Sequence, residues 1–257
     1  MTQKRGDGTE LATQYAAQSD LIVCIGGDGT FNEVITGVVR AGANSPIGYI
    51  PAGSTNDFAA SLGLSKNVIQ AAQDIVAGLP VAYDVGRFRE RYFTYVASFG
   101  AFTKSSYATS QSVKNALGHL AYVLEGVKEV WHLKGIKARL RTDAGEFEGE
   151  YLFGSVTNST SLAGIISLDR NTVKLDDGLF ELMLVEKPAN AVQYSSLLSQ
   201  IALKRFDDRL KLYKVSTVEM ETEEDLDWTL DGELEPGRTN FKIETLSNAI
   251  EIKVPET

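Results

Sequence analysis

The sequence has little cysteine, little positive charge and no long apolar run. Its single cysteine, Cys24, cannot form an internal disulfide, which favours a reducing cytoplasm. Its 25 Lys and Arg against 34 Asp and Glu give a net charge of −9, which argues against a general nucleic-acid binder. No apolar run approaches the roughly 20 residues that cross a bilayer, and residues 1–6 lack the apolar core of a signal peptide. We therefore expect a cytoplasmic protein.

The first third of the chain alternates strand and helix patterns. Residues 21–25 form an apolar run typical of a strand buried on both faces, and 47–50 form a second. Helical periodicity follows them over 31–40 and 67–78. This alternation predicts an α/β domain with a parallel sheet over residues 1–83.

The pattern changes near residue 83. Turn residues then separate short strands, which predicts an antiparallel β-sandwich domain over 84–257 with inserted helices at 112–131 and 190–204. The C-terminal tail could pack back on the first domain. The predicted strands are residues 91–99, 137–141, 147–156, 172–175, 179–185, 216–221, 226–230 and 241–244.

A glycine-rich turn, Gly26-Gly27-Asp28-Gly29-Thr30, joins the first predicted strand to the first long helix. Such a turn can bind phosphate, because glycines permit close approach of the backbone and the helix dipole favours anions. It is neither a Walker loop nor a dinucleotide fingerprint, since residue 32 is Asn where the third glycine would stand. Asp28 fits beside phosphate if Mg²⁺ lies between them. The alternative is a tight turn with Asp28 as a helix cap.

A second turn of the same kind, Gly53-Ser54-Thr55-Asn56-Asp57, lies between the next strand and helix. In a parallel sheet both turns lie at the carboxyl ends of the strands, where α/β folds bind ligands. Together they could hold a nucleotide and its metal. The alternative is a pair of ordinary helix caps.

Four motifs give the chain a family resemblance. The segment 26–34 followed by 51–59 resembles the bacterial diacylglycerol kinase-like lipid kinases, relatives of eukaryotic diacylglycerol and sphingosine kinases. Lys174-Leu175-Asp176-Asp177-Gly178-Leu179 and Leu230-Asp231-Gly232-Glu233 match two further motifs of that family, in the same order. By themselves Asp177-Gly178 and Asp231-Gly232 are also good hairpin turns.

The resemblance implies ATP and Mg²⁺ as cofactors and transfer of the γ-phosphate to a lipid hydroxyl such as that of diacylglycerol. Glu233 would be the proton acceptor, with Asp231 the neighbouring candidate, and Asp28 and Asp57 would lie near the catalytic Mg²⁺. A structural Mg²⁺ would bind the Asp177 carboxylate and the carbonyls of Lys174 and Leu179. The implied nucleotide-binding residues are Gly26, Gly27, Asp28, Gly29, Thr30, Asn32, Glu33, Gly53, Ser54, Thr55, Asn56 and Asp57.

The partners expected from this resemblance are ATP and a lipid at a membrane surface, with a homodimer as a further possibility and no nucleic acid. Residues 104–141 hold seven Lys and Arg against Glu125 and Glu129, which could attract an anionic membrane or could form a solvated face. This would make the protein peripherally membrane-associated.

Two other functions are compatible with the sequence. The glycine loop with Asn32 and Glu33 also suits an NAD kinase-like enzyme, although the second turn and residues 230–233 favour a lipid. The third interpretation is a truncated, inactive lipid-binding remnant. Relatives begin with a further strand and an Asn-Pro-x-x-Gly-type turn, and without them an apolar sheet edge would be exposed.

Overall fold

The chain folds into two units. The first comprises Met1–Thr94, Leu175–Gly178 and Leu246–Thr257, and the second comprises Tyr95–Lys174 and Leu179–Thr245. The predicted helix at 112–131 lies outside the described residues. The computed structural model describes residues 2–54, 56–100, 134–159, 161–162, 166–167, 173–203, 205–206 and 209–255.

The first unit alternates helices and strands, as its sequence pattern predicts. A single 3-10 turn, Ala16–Gln18, follows its first helix. Its elements are α1 (Asp7–Tyr15), β1 (Ile22–Gly26), α2 (Asp28–Ala41), β2 (Ile47–Pro51), α3 (Asp57–Ser61), α4 (Val68–Ala77), β3 (Leu79–Phe88), β4 (Arg91–Phe93) and the end of β13 (Glu233–Val254).

Parallel pairing is described for three strands of this unit. β1 and β2 pair in parallel over five residue pairs, from Ile22 opposite Ile47 to Gly26 opposite Pro51. The last strand joins β2 in parallel at Ile252 opposite Ile47, and β3 pairs with both β13 and β4. A larger parallel nucleotide-binding sheet stays a prediction. The β2 residues are buried throughout, which explains why this strand is apolar without alternation.

The first unit extends beyond the predicted boundary near residue 83. β3 runs through that position, and it pairs antiparallel with β4, as shown by Gly86 opposite Phe93. The side chains of Tyr83 and Val85 are buried in the same core cluster as Ile47 and Ile252. Burial of this hairpin in the first core therefore moves the division to Thr94, and the C-terminal residues 246–257 also belong to the first unit.

The second unit is built mainly on antiparallel strands. β5 and β6 both pair with β7 and with β12, and β10 lies between β7 and β11. β8 and β9 form a separate pair, and the sandwich arrangement stays a prediction. The elements are β5 (Val96–Gly100), β6 (Ile136–Thr142), β7 (Gly145–Thr157), β8 (Ser161–Leu162), β9 (Ile166–Ser167), β10 (Phe180–Glu186), α5 (Ala191–Leu203), β11 (Leu210–Val215), β12 (Thr217–Leu230) and most of β13.

Several predicted strands have different limits in the structure. The predicted strand 91–99 is broken at Thr94 and Tyr95, because the chain passes there from one unit to the other. The predicted strand 172–175 does not appear among its described residues 173–175, and Leu175 begins a series of bends. The predicted strands 216–221 and 226–230 are one irregular strand, β12.

Candidate functional site

Both glycine-rich turns lie at the same edge of the first unit's sheet. Gly26 ends β1 directly opposite Pro51, which ends β2. The amide of Ala52 donates a hydrogen bond of 2.8 Å to the carbonyl of Gly26, so the two turns are joined where they leave the strands. The parallel register of β1 and β2 therefore brings two segments that are far apart in sequence to one place.

The two turns contact each other backbone to backbone at Gly27 and Gly53. A Cβ atom added to Gly53 would lie 2.5 Å from the Cα atom of Gly27 and 2.8 Å from the side-chain oxygen of Asn56. A Cβ atom on Gly27 would lie 3.3 Å from the Cα atom of Gly53. Backbone atoms cannot move away from such close contacts without a large cost in free energy. The close approach of the turns therefore requires glycine at residue 53 and favours it at residue 27.

Asn56 holds the second turn in shape. Its Oδ1 accepts a hydrogen bond of 3.0 Å from the Gly53 amide, and its Nδ2 donates one of 2.7 Å to the Gly53 carbonyl. The residue is buried and has a φ angle of 55°, a conformation that asparagine tolerates better than most residues. The amide of this predicted nucleotide ligand is thus used inside the turn, which makes Asn56 a positioning residue.

Asp28 is the first residue of α2 and connects the two turns. Its Oδ1 lies 3.4 Å from the amide nitrogen of Phe58, which donates to it from the first turn of α3. Under this contact the ring of Phe31 stacks on Tyr49 at 4.1 Å and lies 5.2 Å from the ring of Phe58. Burial, with the charge of Asp28 adding to it, raises the pKa of Tyr49, so its hydroxyl remains a proton donor. This aromatic cluster fixes α2 and α3 relative to the strands.

Glu33 has a structural role in the residues described. Its two carboxylate oxygens accept hydrogen bonds from the amides of Gly6 at 2.8 Å and Gly8 at 3.1 Å, at the start of α1. These are donors that the first turn of a helix leaves without intrahelical partners, and a carboxylate there also favours the helix dipole. Asn32 points its Nδ2 to the Tyr92 carbonyl at 3.2 Å. Neither arrangement was predictable from the nucleotide-binding pattern.

The other predicted ligands of these turns differ in exposure. Gly29 and Ser54 are exposed, and Thr30 is half-buried against Gly26, where an added Cβ would meet the threonine side chain at 2.8 Å. Thr55 lies outside the described residues. Asp57 begins α3, but its side chain also lies outside what the structure describes.

The two acidic residues of the second unit's hairpin have different environments. Asp231 has a φ angle of 47° and Gly232 one of 87°, which is the two-residue hairpin turn that Asp-Gly favours. One oxygen of Asp231 accepts from the amides of Tyr95 at 3.0 Å and Val96 at 2.9 Å, which ties the hairpin to β5. Glu233 is half-buried, begins β13 and is paired with Leu230. The Asp231 carboxylate therefore fixes the backbone of the hairpin.

A buried carboxylate that the sequence analysis did not select, Asp84, lies beside the third motif. Its oxygens accept hydrogen bonds of 2.7 Å from the amides of Gly178 and Asn248, and it is 1% exposed. Burial raises the pKa of Asp84, the two hydrogen bonds act against this, and the charges of Asp177 and Asp176 raise it further. The sequence around Asp84 does not indicate that its carboxylate joins two segments, because the residues that donate to it are distant in sequence.

The predicted ligands of a structural metal are half-buried or exposed. Asp177 and Leu179 are half-buried, and Lys174 is exposed. No group of three or more His, Cys, Asp or Glu side chains suited to a metal occurs among the described residues. One carboxylate with backbone carbonyls, the set that the resemblance implies, is nevertheless chemically suited to Mg²⁺.

The described part of the basic segment carries paired charges. Lys134 pairs with Glu224, Lys137 with Glu223 at 3.2 Å, and Arg139 with Glu148 at 2.8 Å, all largely exposed. These pairs do not form an uncompensated cationic surface. The rest of the segment, 104–133, lies outside the described residues. No helix in the described ranges is long and apolar enough to span a membrane.

Comparisons with known proteins show the family of the chain. A family model described as the diacylglycerol kinase catalytic domain matches residues 1–88. The chain is 33% identical over 233 residues to a diacylglycerol kinase of Bacillus subtilis (strain 168), covering 89% of this chain and 76% of that protein. It is 31% identical over 259 residues to a diacylglycerol kinase of Staphylococcus carnosus (strain TM300), covering 99% and 83%.

A solved structure of a similar protein has the same fold. A crystal structure of a candidate diacylglycerol kinase from Bacillus anthracis str. Sterne has a TM-score of 0.78 and 26% identity, covering 98% of this chain and 84% of that one. The family model and the names of these relatives show that the chain is of the lipid kinase class. The chain belongs to the bacterial diacylglycerol kinase-like family.

Proposed function

We propose that this chain is an ATP- and Mg²⁺-dependent lipid kinase that transfers the γ-phosphate of ATP to the hydroxyl of diacylglycerol. The contact between Gly27 and Gly53, which presents two polar turns at one sheet edge, is the observation that carries the proposal. The names of the relatives support the same acceptor class. Phosphoryl transfer requires mainly positioning and stabilisation of charge, which such turns can provide.

The phosphates of ATP would bind at the turn before α2. Gly27 caps this helix with extended backbone, and the following Gly29 is exposed, so a ligand can approach the amides of the first helical turn. Thr30 and Ser54 would line the nucleotide, and Asp28 would be a ligand of the catalytic Mg²⁺ through water. When bound, the ion neutralises phosphate charge. Asn56 and Glu33 would act indirectly, by holding the second turn and α1.

Glu233 would accept the proton of the lipid hydroxyl during transfer. Asp231 is the weaker candidate, because its oxygen Oδ1 already accepts from the amides of Tyr95 and Val96. A carboxylate in this role typically contributes about 10²- to 10⁴-fold to the rate. Asp231 would instead fix the hairpin from which Glu233 extends.

A second, structural Mg²⁺ would bind near Asp177, with the carbonyls of Lys174 and Leu179. The position of Asp84 supports a cation in this region, because its buried carboxyl group accepts from the amide of Gly178, the residue after Asp177, and so brings a further acidic group to this motif. A divalent cation would compensate this concentration of negative charge. Such an ion would stabilise the segment that contains the third motif.

The lipid acceptor implies contact with a membrane surface, and a peripheral association in the cytoplasm follows from the same proposal. The exposed ion pairs of Lys134, Lys137 and Arg139 give little support to a membrane-binding role for the end of the basic segment. A homodimer stays a prediction.

The proposal is tested with radiolabelled ATP, Mg²⁺ and dioctanoylglycerol in mixed micelles. We expect labelled phospholipid from the wild-type chain and a loss of about 10²- to 10⁴-fold in kcat for Glu233→Gln. The matched control is Glu219→Gln, which removes a half-exposed carboxylate from the same pair of strands, where it contacts Lys242 at 3.5 Å. The control should keep its activity within about twofold, because exposed ion pairs contribute little.

Three results would contradict this assignment. The wild-type chain could fail to label the lipid while forming NADP from NAD, which would support the NAD kinase-like alternative. Alternatively, Glu233→Gln could be as active as Glu219→Gln, which would remove Glu233 from the reaction. Absence of ATP binding by calorimetry would support an inactive remnant.

A further inference from the structure

One face of the second unit's sheet carries a row of buried hydroxyl groups. Register pairs place Thr229 of β12 opposite Ser98 of β5, and Ser98 opposite Ser155 of β7. Thr157 lies two residues after Ser155 and therefore on the same face. We call these four residues, Ser98, Ser155, Thr157 and Thr229, the hydroxyl strip; all four are buried.

Two members of the hydroxyl strip have incomplete hydrogen bonding. The side-chain oxygens of Ser155 and Thr157 are buried without a hydrogen-bond partner among the described residues. Both residues are 0% exposed. Burial of a hydroxyl without a partner is unfavourable, and such groups are rare in folded proteins. Their presence on one strand, pointing to one face, indicates that a polar ligand completes them.

The hydroxyl strip begins beside the acidic hairpin. Thr229 precedes Asp231 by two residues, and the Asp231 carboxylate binds the amide of Val96 at 2.9 Å. Val96 is in turn the register partner of Thr157. A ligand that satisfies the strip would therefore lie close to the hairpin that carries Glu233.

The same face becomes apolar away from the hairpin. Phe153 lies two residues before Ser155, and its register partner is Val185 of β10. Val185 is opposite Leu210 of β11. These three side chains are buried and aliphatic or aromatic. The hydroxyl groups of this face thus lie toward the hairpin, beside Val96, and the other end of the face is apolar, which matches a molecule with an oxygen-rich head and hydrocarbon chains.

We propose that the hydroxyl strip binds the neutral oxygen atoms at the glycerol end of the lipid acceptor, with Ser155 and Thr157 donating to ester carbonyls. The start of the acyl chains would contact Phe153 and Val185. This inference rests on the proposed function and adds the residues that recognise the head of the lipid. The four strip residues carry no charge. The buried Glu181 is the register partner of Thr157 and is itself opposite Lys214 of β11, and a carboxyl group beside the strip disfavours an anionic phosphate, so the strip suits a neutral head.

The test compares Ser155→Ala and Thr157→Val with a control, Thr217→Val, a half-buried β12 threonine outside the strip. We expect each strip variant to raise KM for dioctanoylglycerol about 3- to 10-fold, as loss of one hydrogen bond predicts. KM for ATP should not change.

Thermal unfolding distinguishes a loss of lipid binding from a loss of folding stability. Removing an unpartnered buried hydroxyl should leave the unfolding temperature of both strip variants equal to or above that of the wild type. Unchanged KM for dioctanoylglycerol in both strip variants would overturn the inference and would indicate hydroxyls satisfied by water alone.

Failure of the proposed function would be visible separately, because the wild type would then phosphorylate no lipid. In that case the strip is tested by ligand-induced stabilisation. We expect dioctanoylglycerol to raise the unfolding temperature of the wild type more than that of a variant that combines Ser155→Ala with Thr157→Val. An equal rise in both proteins would overturn the inference.

Discussion

The turns of the first unit and the hairpin of the second unit are stabilised in different ways. In the first unit two backbone segments contact each other at Gly27 and Gly53, and Asn56 completes the hydrogen bonds of its own turn. In the second unit the Asp231 carboxylate joins the hairpin to β5, and the buried hydroxyls of Ser155 and Thr157 have no hydrogen-bond partner in the part of the chain that the structure describes.

This comparison separates two kinds of polar residue in a candidate site. A polar side chain that accepts from several backbone amides, such as Glu33 or Asp231, mainly determines the position of the chain. A buried polar group with incomplete hydrogen bonding, such as Thr157, is a better candidate for contact with a ligand. Hydrogen bonding therefore distinguishes roles that residue type alone does not.

The largest expected effect concerns Cys24, which reports on the first unit alone because the chain has one cysteine. The residue is 3% exposed, and burial, with the charge of Glu33 adding to it, raises the pKa of its thiol to about 12. We expect iodoacetamide to label the native protein at least about 10³-fold more slowly than the urea-unfolded protein. Equal rates would show that the core under the turns opens readily.

A second prediction concerns the close approach of the two turns. Gly53→Ala should lower the free energy of unfolding by about 1–3 kcal/mol, because its Cβ would lie 2.5 Å from the Cα of Gly27. Gly29→Ala is the matched control, since no atom lies within 4 Å of its Cβ position and the residue is helical. Urea unfolding should show a change below about 1 kcal/mol for the control. Equal losses in both variants would contradict the proposed contact.

A third prediction sharpens the role of Asp231. Asp231→Ala removes the acceptor of two backbone amides, and we expect it to lower the free energy of unfolding by about 1–3 kcal/mol. Asp231→Asn keeps an oxygen acceptor and tolerates the positive φ angle, so its loss should be below about 1 kcal/mol. Chemical denaturation followed by circular dichroism measures both. If Asp231→Asn folds normally but loses as much activity as Glu233→Gln, Asp231 takes part in the reaction itself.

The smallest expected effect concerns Asp143, an exposed residue whose carboxylate accepts hydrogen bonds from backbone amides. The pKa of Asp143 is below its usual range: burial would raise it, but hydrogen bonds from Ser216 and Thr217 outweigh burial. A lowered pKa stabilises the fold above the ordinary aspartate range, and this contribution is lost as the pH falls through the folded-state pKa. At pH 7 the free energy of unfolding of the wild type should be about 1 kcal/mol higher than that of Asp143→Asn. A difference that does not decrease as the pH falls below the ordinary aspartate range would contradict this role.

The sequence predicted the parts of the fold that depend on local pattern. The strand predicted at residues 21–25 appears as Ile22–Gly26, because its apolar run is a local pattern. The helix predicted from residue 31 also appears, but it begins at Asp28, because Gly27 caps it and the last three residues of the predicted turn are helical. The Asp-Gly turn at residue 231 also appears, since its positive φ angles suit this dipeptide. The limits of β3, β4 and β13 were not predictable, because they depend on pairing with distant strands.

The sequence by itself determined the two strand–turn–helix segments and the acidic hairpin, together with the residue types that chemistry on phosphate needs. Only the tertiary structure decided which of those side chains bind distant backbone groups. Glu33 binds α1, Asp84 joins segments near residues 178 and 248, and Asp231 joins β5, and each contact is made with distant residues. Such roles depend on chain partners that no local window contains, because a hydrogen bond is satisfied by proximity in space.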